Sequence, residues 1–99
     1  MRRDGSRYNI MAQAFLKDPD SVLDYHINWD SWLNGDTIST SSWTADAGIV
    51  IDSDSNTSTA ATVWLSSGTA ANEYTVTNQI VTAGSRTDDR SIYILVNEK

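Results

Sequence analysis

The sequence contains no cysteine, so neither a disulfide framework nor a thiolate metal site is open to it. Proline occurs once, at Pro19, and lysine only at Lys17 and Lys99. No apolar run approaches the roughly 20 residues that a membrane-spanning helix needs. The opening stretch MRRDGSRYNIMAQAF lacks the apolar segment of about 7–15 residues that marks a signal peptide. The expectation from that start is a product assembled in the cytoplasm. Positive charge is also short: the formal net charge is −6. Arg2, Arg3 and Arg7 against Asp4 leave the first ten residues at +2 and the remainder at −8. An acidic body lacks the basic footprint that nucleic-acid binding requires. The basic tip is suited to a phosphate or an acidic neighbour; equally, it reads as a solvated tail or a leader ahead of a start at Met11.

What the 99 residues do hold is serine, threonine and asparagine in quantity, enough chain for one domain with a modest core, and a persistent period of two. The clearest stretch runs from Glu73 to Glu98. EYTVTNQIVTA alternates Tyr74, Val76 and Ile80 against Thr75, Thr77 and Gln79, and RSIYILVNE puts Ile92, Ile94 and Val96 on one face. The polar run GSRTDDR between them reads as a turn, so the whole predicts one long β-hairpin, which needs a second sheet to cover its apolar face.

Upstream, residues 1–20 predict an arm with a short helical turn around Met11–Lys17, ended by Pro19. Residues 21–99 predict the domain. Val22–Asp30 alternates Leu23, Tyr25, Ile27 and Trp29 against Asp24, His26, Asn28 and Asp30, a half-buried strand. Asn34-Gly35 marks a turn. Further strands fall in Asp36–Ala45, with Ile38 and Trp43 inward, in Gly48–Asp52, and in Thr59–Ser66, where Ala61, Val63 and Leu65 oppose Trp64; DSDSNTS between the last two reads as a loop. Six to seven short strands with polar turns predict an all-β, immunoglobulin-like β-sandwich carrying an extended N-terminal arm. A small, partly open barrel is the alternative architecture.

Few residues suggest chemistry. Asp52, Asp54 and Asn56 have the D-x-D-x-N spacing of a calcium loop, but Thr57 stands where that loop needs glycine and Val63 where it needs glutamate. Asp and Asn also favour turns, and no metal is assigned. His26, the lone histidine, sits on the polar face of its strand and reads as an exposed strand residue. No nucleophile elbow, phosphate loop or paired-histidine spacing occurs, so neither an enzyme nor a cofactor is expected. Among the tryptophans, Trp29 and Trp43 read as core. Trp32 and Trp64 fall on turn or opposite-face positions, where aromatic side chains anchor interfaces or sugar-stacking surfaces. Arg86, Asp88 and Asp89 form either a self-compensating solvated turn or a charged subunit contact that sets register.

Lys17-Asp18-Pro19-Asp20, Leu23-Asp24-Tyr25, Trp29 with Trp32-Leu33, Gly35-Asp36-Thr37-Ile38, Trp43-Thr44, Val63-Trp64-Leu65-Ser66, Tyr74-Thr75-Val76-Thr77-Asn78 and Arg86-Thr87-Asp88-Asp89-Arg90-Ser91 together resemble a family of small structural proteins of tailed bacteriophages and prophages, the fibre–tail adaptors. The resemblance spans about residues 17–97. It implies a virion structural role for an immunoglobulin-like module, and no catalytic motif comes with it. The expected partners are other phage structural proteins of tail, fibre, neck or capsid, met in many copies within a symmetric assembly, with neither nucleic acid nor membrane among them. The expected contact residues are Arg2, Arg3, Arg7 and Tyr8 in the arm, Phe15 at its base, and Trp32, Trp64, Arg86, Asp88 and Asp89 on the domain. A capsid decoration or cement protein, and a carbohydrate-binding module on the same fold, are the alternative functions.

Overall fold

Strict alternation builds the long hairpin. In β6 (Glu73–Thr82) Tyr74, Val76, Asn78, Ile80 and Thr82 are buried and their odd-numbered neighbours are not. In β7 (Thr87–Val96) the buried set is Ile92, Ile94 and Val96. The computed structural model, which describes residues 13–98, pairs these strands antiparallel from Glu73 opposite Leu95 to Val81 opposite Thr87. The turn is shorter than the polar run suggests. Thr82 N–H donates to the Arg86 carbonyl (2.8 Å) and Ser85, at φ 65°, donates to the Thr82 carbonyl (3.0 Å). Asp88, Asp89 and Arg90 therefore lie in β7, opposite Ile80, Gln79 and Asn78, rather than at a tip. Burial of Ile80 and Val76 fixes the register of β6, and the ladder carries the acidic pair with it.

Before the hairpin come β1 (Gln13–Lys17), β2 (Leu23–Asn28), a single helical turn α1 (Asp30–Leu33), β3 (Ile38–Ala45), β4 (Ile49–Asn56) and β5 (Ala60–Ser67). They form two sheets, β1-β7-β6-β3 and β2-β5-β4, antiparallel throughout except for the parallel pair β1 and β7. Strands two, four and five in one layer and three, six and seven in the other is the immunoglobulin arrangement, with the first strand carried across to the seventh. Tyr74 reinforces that reading: near the start of the sixth strand, its hydroxyl accepts the main-chain N–H of Thr69 (2.9 Å), the corner contact typical of such sandwiches.

Between the layers lie Tyr25, Ile27, Trp29, Leu33, Ile38, Trp43, Ile49, Val63 and Leu65 with the inner face of the hairpin. Each large apolar side chain buried here contributes about 1.5–3 kcal/mol. Three local expectations change. The segment read as a helical turn up to Lys17 is, over its described residues, the edge strand β1, because Phe15 and Lys17 can turn inward at a spacing of two. The DSDSNTS run is mostly strand: β4 continues to Asn56, with a register shift between Ile51 and Ser53, because the strong strand β5 offers a partner along its whole length. The reversal is confined to Thr57–Thr59, where Thr57 Oγ1 accepts the N–H groups of Thr59 and Ala60. Finally, the chain after Trp29 makes one turn of helix before the left-handed Asn34 (φ 49°) and Gly35 (φ 93°) reverse it.

Two glycines separate backbone strain from crowding. Gly68 has φ +97°, and a Cβ there would sit 2.6 Å from Val96 Cγ2; Gly35 has φ +93° with nothing near it. Gly35→Ala should cost about 1–2 kcal/mol, the left-handed strain alone. Gly68→Ala should cost a further 1–3 kcal/mol or so, because the closing strand must move. Urea unfolding followed by tryptophan fluorescence measures both. Equal losses at the two sites would mean that Val96 yields freely.

Candidate functional site

Trp29 is wholly buried, and its indole needs a hydrogen-bond acceptor inside the core. Asn78 provides it. Its Oδ1 accepts from Trp29 Nε1 (2.9 Å) while its Nδ2 donates to Ser41 Oγ (2.9 Å) and the Ser42 carbonyl (3.0 Å), so one carboxamide joins β6, β3 and the end of β2. The guanidinium of Arg90 lies 4.3 Å over the Trp29 ring and donates to the Asn28 carbonyl (3.3 Å). Trp32 meets Trp29 edge-on at 5.4 Å, and Arg86 lies 4.3 Å over Trp32. Arg86 also donates to the Leu33 carbonyl (2.7 Å) at the C-terminal end of α1 and pairs with Asp36 (3.2 Å). Two arginines and two tryptophans thus form a ladder at one end of the sandwich.

Asp36 closes this end. Its Oδ1 accepts the N–H groups of Thr37 (2.8 Å) and Gly84 (3.1 Å), tying the β2–β3 connection to the β6–β7 turn. The Thr82 hydroxyl first, then Thr37, Gly84 and Arg86, hold its carboxyl at about 2, below the ordinary value of 3.8. Trp32 and Arg86, expected to meet partners, are therefore tied to one another and to the framework. Trp32 is half-buried, and Arg86 keeps its outer edge in solvent.

The other expected contact residues separate. Phe15 turns inward and packs against Tyr25 at 5.0 Å. Asp89 is exposed and Asp88 half-buried, both along β7. Arg2, Arg3, Arg7 and Tyr8 lie outside the described residues. Trp64 stands on the outer face of β2-β5-β4, 42% exposed, in register with Asp24 on one side and Ser53 on the other. Beside it, His26 meets Asp24 (Nε2 to Oδ2, 3.2 Å) and Thr62 (Nδ1 to Oγ1, 2.8 Å), and Ser66 donates to Asp52 (2.9 Å). Asp52 and Asp54 thus lie along a strand, and among the described residues no three carboxylate or imidazole groups gather as a metal would require. On the opposite outer face Leu16 lies opposite Leu95, 57% and 38% exposed, and Ala14 opposite Tyr93.

Two side chains central to this architecture escape a reading by residue type. Asn78 occupies an inward position between Val76 and Ile80, and that parity is the signal that marks it. Lys17, two residues after Phe15, is fully buried; its Nζ donates to the carbonyls of Ser67 (2.7 Å) and Asp18 (3.0 Å), and burial pushes its pKa down. Spacing points it inward, while its charge argues for the surface.

Asp36 generates an acid response with a definite sign. Its carboxyl titrates lower in the folded chain than in the unfolded one, so its stabilisation is complete above about pH 4 and is lost as the pH falls towards about 2. Asp36→Asn should therefore flatten the fall of melting temperature across that window and lower the melting temperature at neutral pH. An unchanged acid slope would remove Asp36 from the response.

No curated protein matches the chain. A family model described as podophage GP4 fiber-tail adaptor protein gp77 matches residues 17–95, from the last residue of β1 nearly to the end of β7. The match thus takes in the Trp29–Asn78 node, the arginine–tryptophan ladder and the Trp64 face, and the chain belongs to the podophage GP4 fiber-tail adaptor protein gp77 family.

Proposed function

We propose that this protein is a non-enzymatic structural component of a tailed-phage virion that joins fibre to tail through its N-terminal arm and one face of its sandwich. The observation that carries this reading is the family match across residues 17–95, set on a domain cross-tied at Trp29, Asn78 and Arg86. A connector gains from a stiff body, because strain at one attachment then reaches the other instead of being absorbed. The basic arm with Arg2, Arg3, Arg7 and Tyr8 engages an acidic surface of one partner. Trp64, exposed on the outer face of β2-β5-β4 among Asp24, His26 and Thr62, anchors the second, while Trp32 and Arg86 at one end of the sandwich and Asp88 and Asp89 on β7 of the other sheet offer further contacts away from that face. Phe15 serves by holding β1 in place, through its packing on Tyr25. Repetition around a symmetric assembly turns modest single contacts into firm attachment.

Incorporation into particles tests the two attachments separately. A chain beginning at Gln13 keeps β1 and should stay folded but be lost from purified virions. Trp64→Ser should keep its melting temperature within a few degrees and lose incorporation at least about tenfold, as the loss of an interface anchor does. Cross-links from the N-terminal amine to tail or fibre proteins are the expected mass-spectrometric result. Normal incorporation of both variants would overturn the reading. Cross-links to the major capsid protein would instead make the chain a decoration or cement protein. Trp64 fluorescence that responds to host polysaccharide, in a chain absent from particles, would make it a carbohydrate-binding module.

A further inference from the structure

Arginine on tryptophan is a contact that this chain makes twice. Arg90 stacks 4.3 Å over the Trp29 ring and Arg86 4.3 Å over the Trp32 ring. The second pair has a third member. While the flat face of Arg86 lies on the indole, its Nε reaches the Asp36 carboxylate (3.2 Å). A ring face beside a carboxylate suits a guanidinium, which stacks through its plane and donates hydrogen bonds from its edge.

The outer face of β2-β5-β4 holds the same two receptors in an exposed setting. Trp64, 42% exposed, stands directly opposite Asp24 in the β2–β5 ladder. Side chains paired in this way have Cβ atoms about 4.5–5.5 Å apart, close enough for one guanidinium to meet both. His26 holds Asp24 by Oδ2 (3.2 Å), and the other oxygen of a carboxylate is enough for an arginine N–H. On the β4 side, Asp52 accepts the Ser66 hydroxyl (2.9 Å). Ser66 lies two residues beyond Trp64, so this second carboxylate shares the face of the indole. The wider field has the same sign, since the chain beyond its first ten residues carries −8.

We propose that Trp64 and Asp24 form a receptor for an arginine side chain presented by the second partner protein. The guanidinium stacks on the Trp64 ring and donates from its edge to Asp24, with Asp52 adding negative potential. This inference deepens the attachment proposed at Trp64 and rests on it; in that reading the arginines of the arm belong to the first partner. Arginine is specified over lysine because a compact, strongly hydrated ammonium has no plane to lay on the ring. The site repeats between two proteins what Arg86, Trp32 and Asp36 do within one.

The test follows the indole N–H resonances of the full chain, isotope-labelled at tryptophan, during titration with acetyl-arginine methylamide. The Trp64 signal is identified by its disappearance in Trp64→Phe. It should move with the arginine probe, move at least about threefold less with acetyl-lysine methylamide, and stay in place with the uncharged citrulline analogue. Asp24→Asn should weaken the arginine response about threefold or more, and so should salt at about 0.5 M. Equal responses to arginine and lysine, an equal response to citrulline, or an Asp24→Asn variant that responds normally would each overturn the proposal. Movement of the Trp64 signal in the chain alone, on combining Arg2→Gln, Arg3→Gln and Arg7→Gln, would mean that its own arm fills the place, and would overturn the assignment to a partner. Particle incorporation separates this inference from the reading beneath it. Loss of Trp64→Ser from virions without any arginine response would leave Trp64 as an apolar anchor and remove the receptor. An arginine response with normal incorporation of Trp64→Ser would keep the receptor and remove the attachment.

Discussion

Burying a tryptophan N–H without an acceptor is costly, and at Trp29, the most deeply buried of the tryptophans described, the arrangement meets that cost with a partner. Asn78 supplies the acceptor from the opposite sheet, and its own amide hydrogens are satisfied by Ser41 and Ser42 of a third strand. In a sandwich without cysteine, this carboxamide performs the task that a disulfide performs elsewhere, which is to set the distance and register between the layers. It acts through directed hydrogen bonds in an apolar setting, where breaking one leaves a buried group unpaired at a cost of about 1–3 kcal/mol. Around it, Arg90 covers the outer side of Trp29 and Trp32 packs against its edge, so the polar node is sealed from water.

The sealing makes the two ends of the module chemically different. At the end holding the β6–β7 turn, Asp36, Arg86 and the carbonyl of Leu33 are locked in a charged network. At the other, Lys17 fills the mouth of the sandwich with its ammonium group on the Ser67 carbonyl, and Asn97 N–H closes over it onto the Lys17 carbonyl (2.8 Å). Both ends are stiffened by charge held in fixed geometry, while the flat faces between them carry the exposed apolar residues Trp64, Leu16 and Leu95.

Much of this was legible in the alternation of residues. Tyr74 to Ile80, Ile92 to Val96 and Tyr25 to Trp29 announced their strands and their inner faces, and the count of strands with polar turns pointed to a sandwich. Where composition and pairing disagreed, pairing prevailed. Asp52 to Asn56 look like loop residues, but β5 alongside them holds them in a ladder on one side; Asp88 and Asp89 look like turn residues, but β6 holds them in a ladder. The places of the expected contact residues were harder to read, because Trp32 and Arg86 are each ambiguous alone and acquire their framework role only from one another. The outward position of Trp64 was legible because its neighbours Val63 and Leu65 needed the core, leaving it the opposite face.

The parallel pairing of β1 with β7 has a mechanical meaning. Gln13 begins β1 beside Ile92, and β7 runs out past Val96 at the far end, so the chain leaves the pair in opposite directions. Tension applied between the two ends of the polypeptide slides these strands lengthwise against each other instead of peeling them apart. Every hydrogen bond between them then carries load at once, and none can be opened singly. A domain pulled along that line is gripped hardest in the direction of the pull.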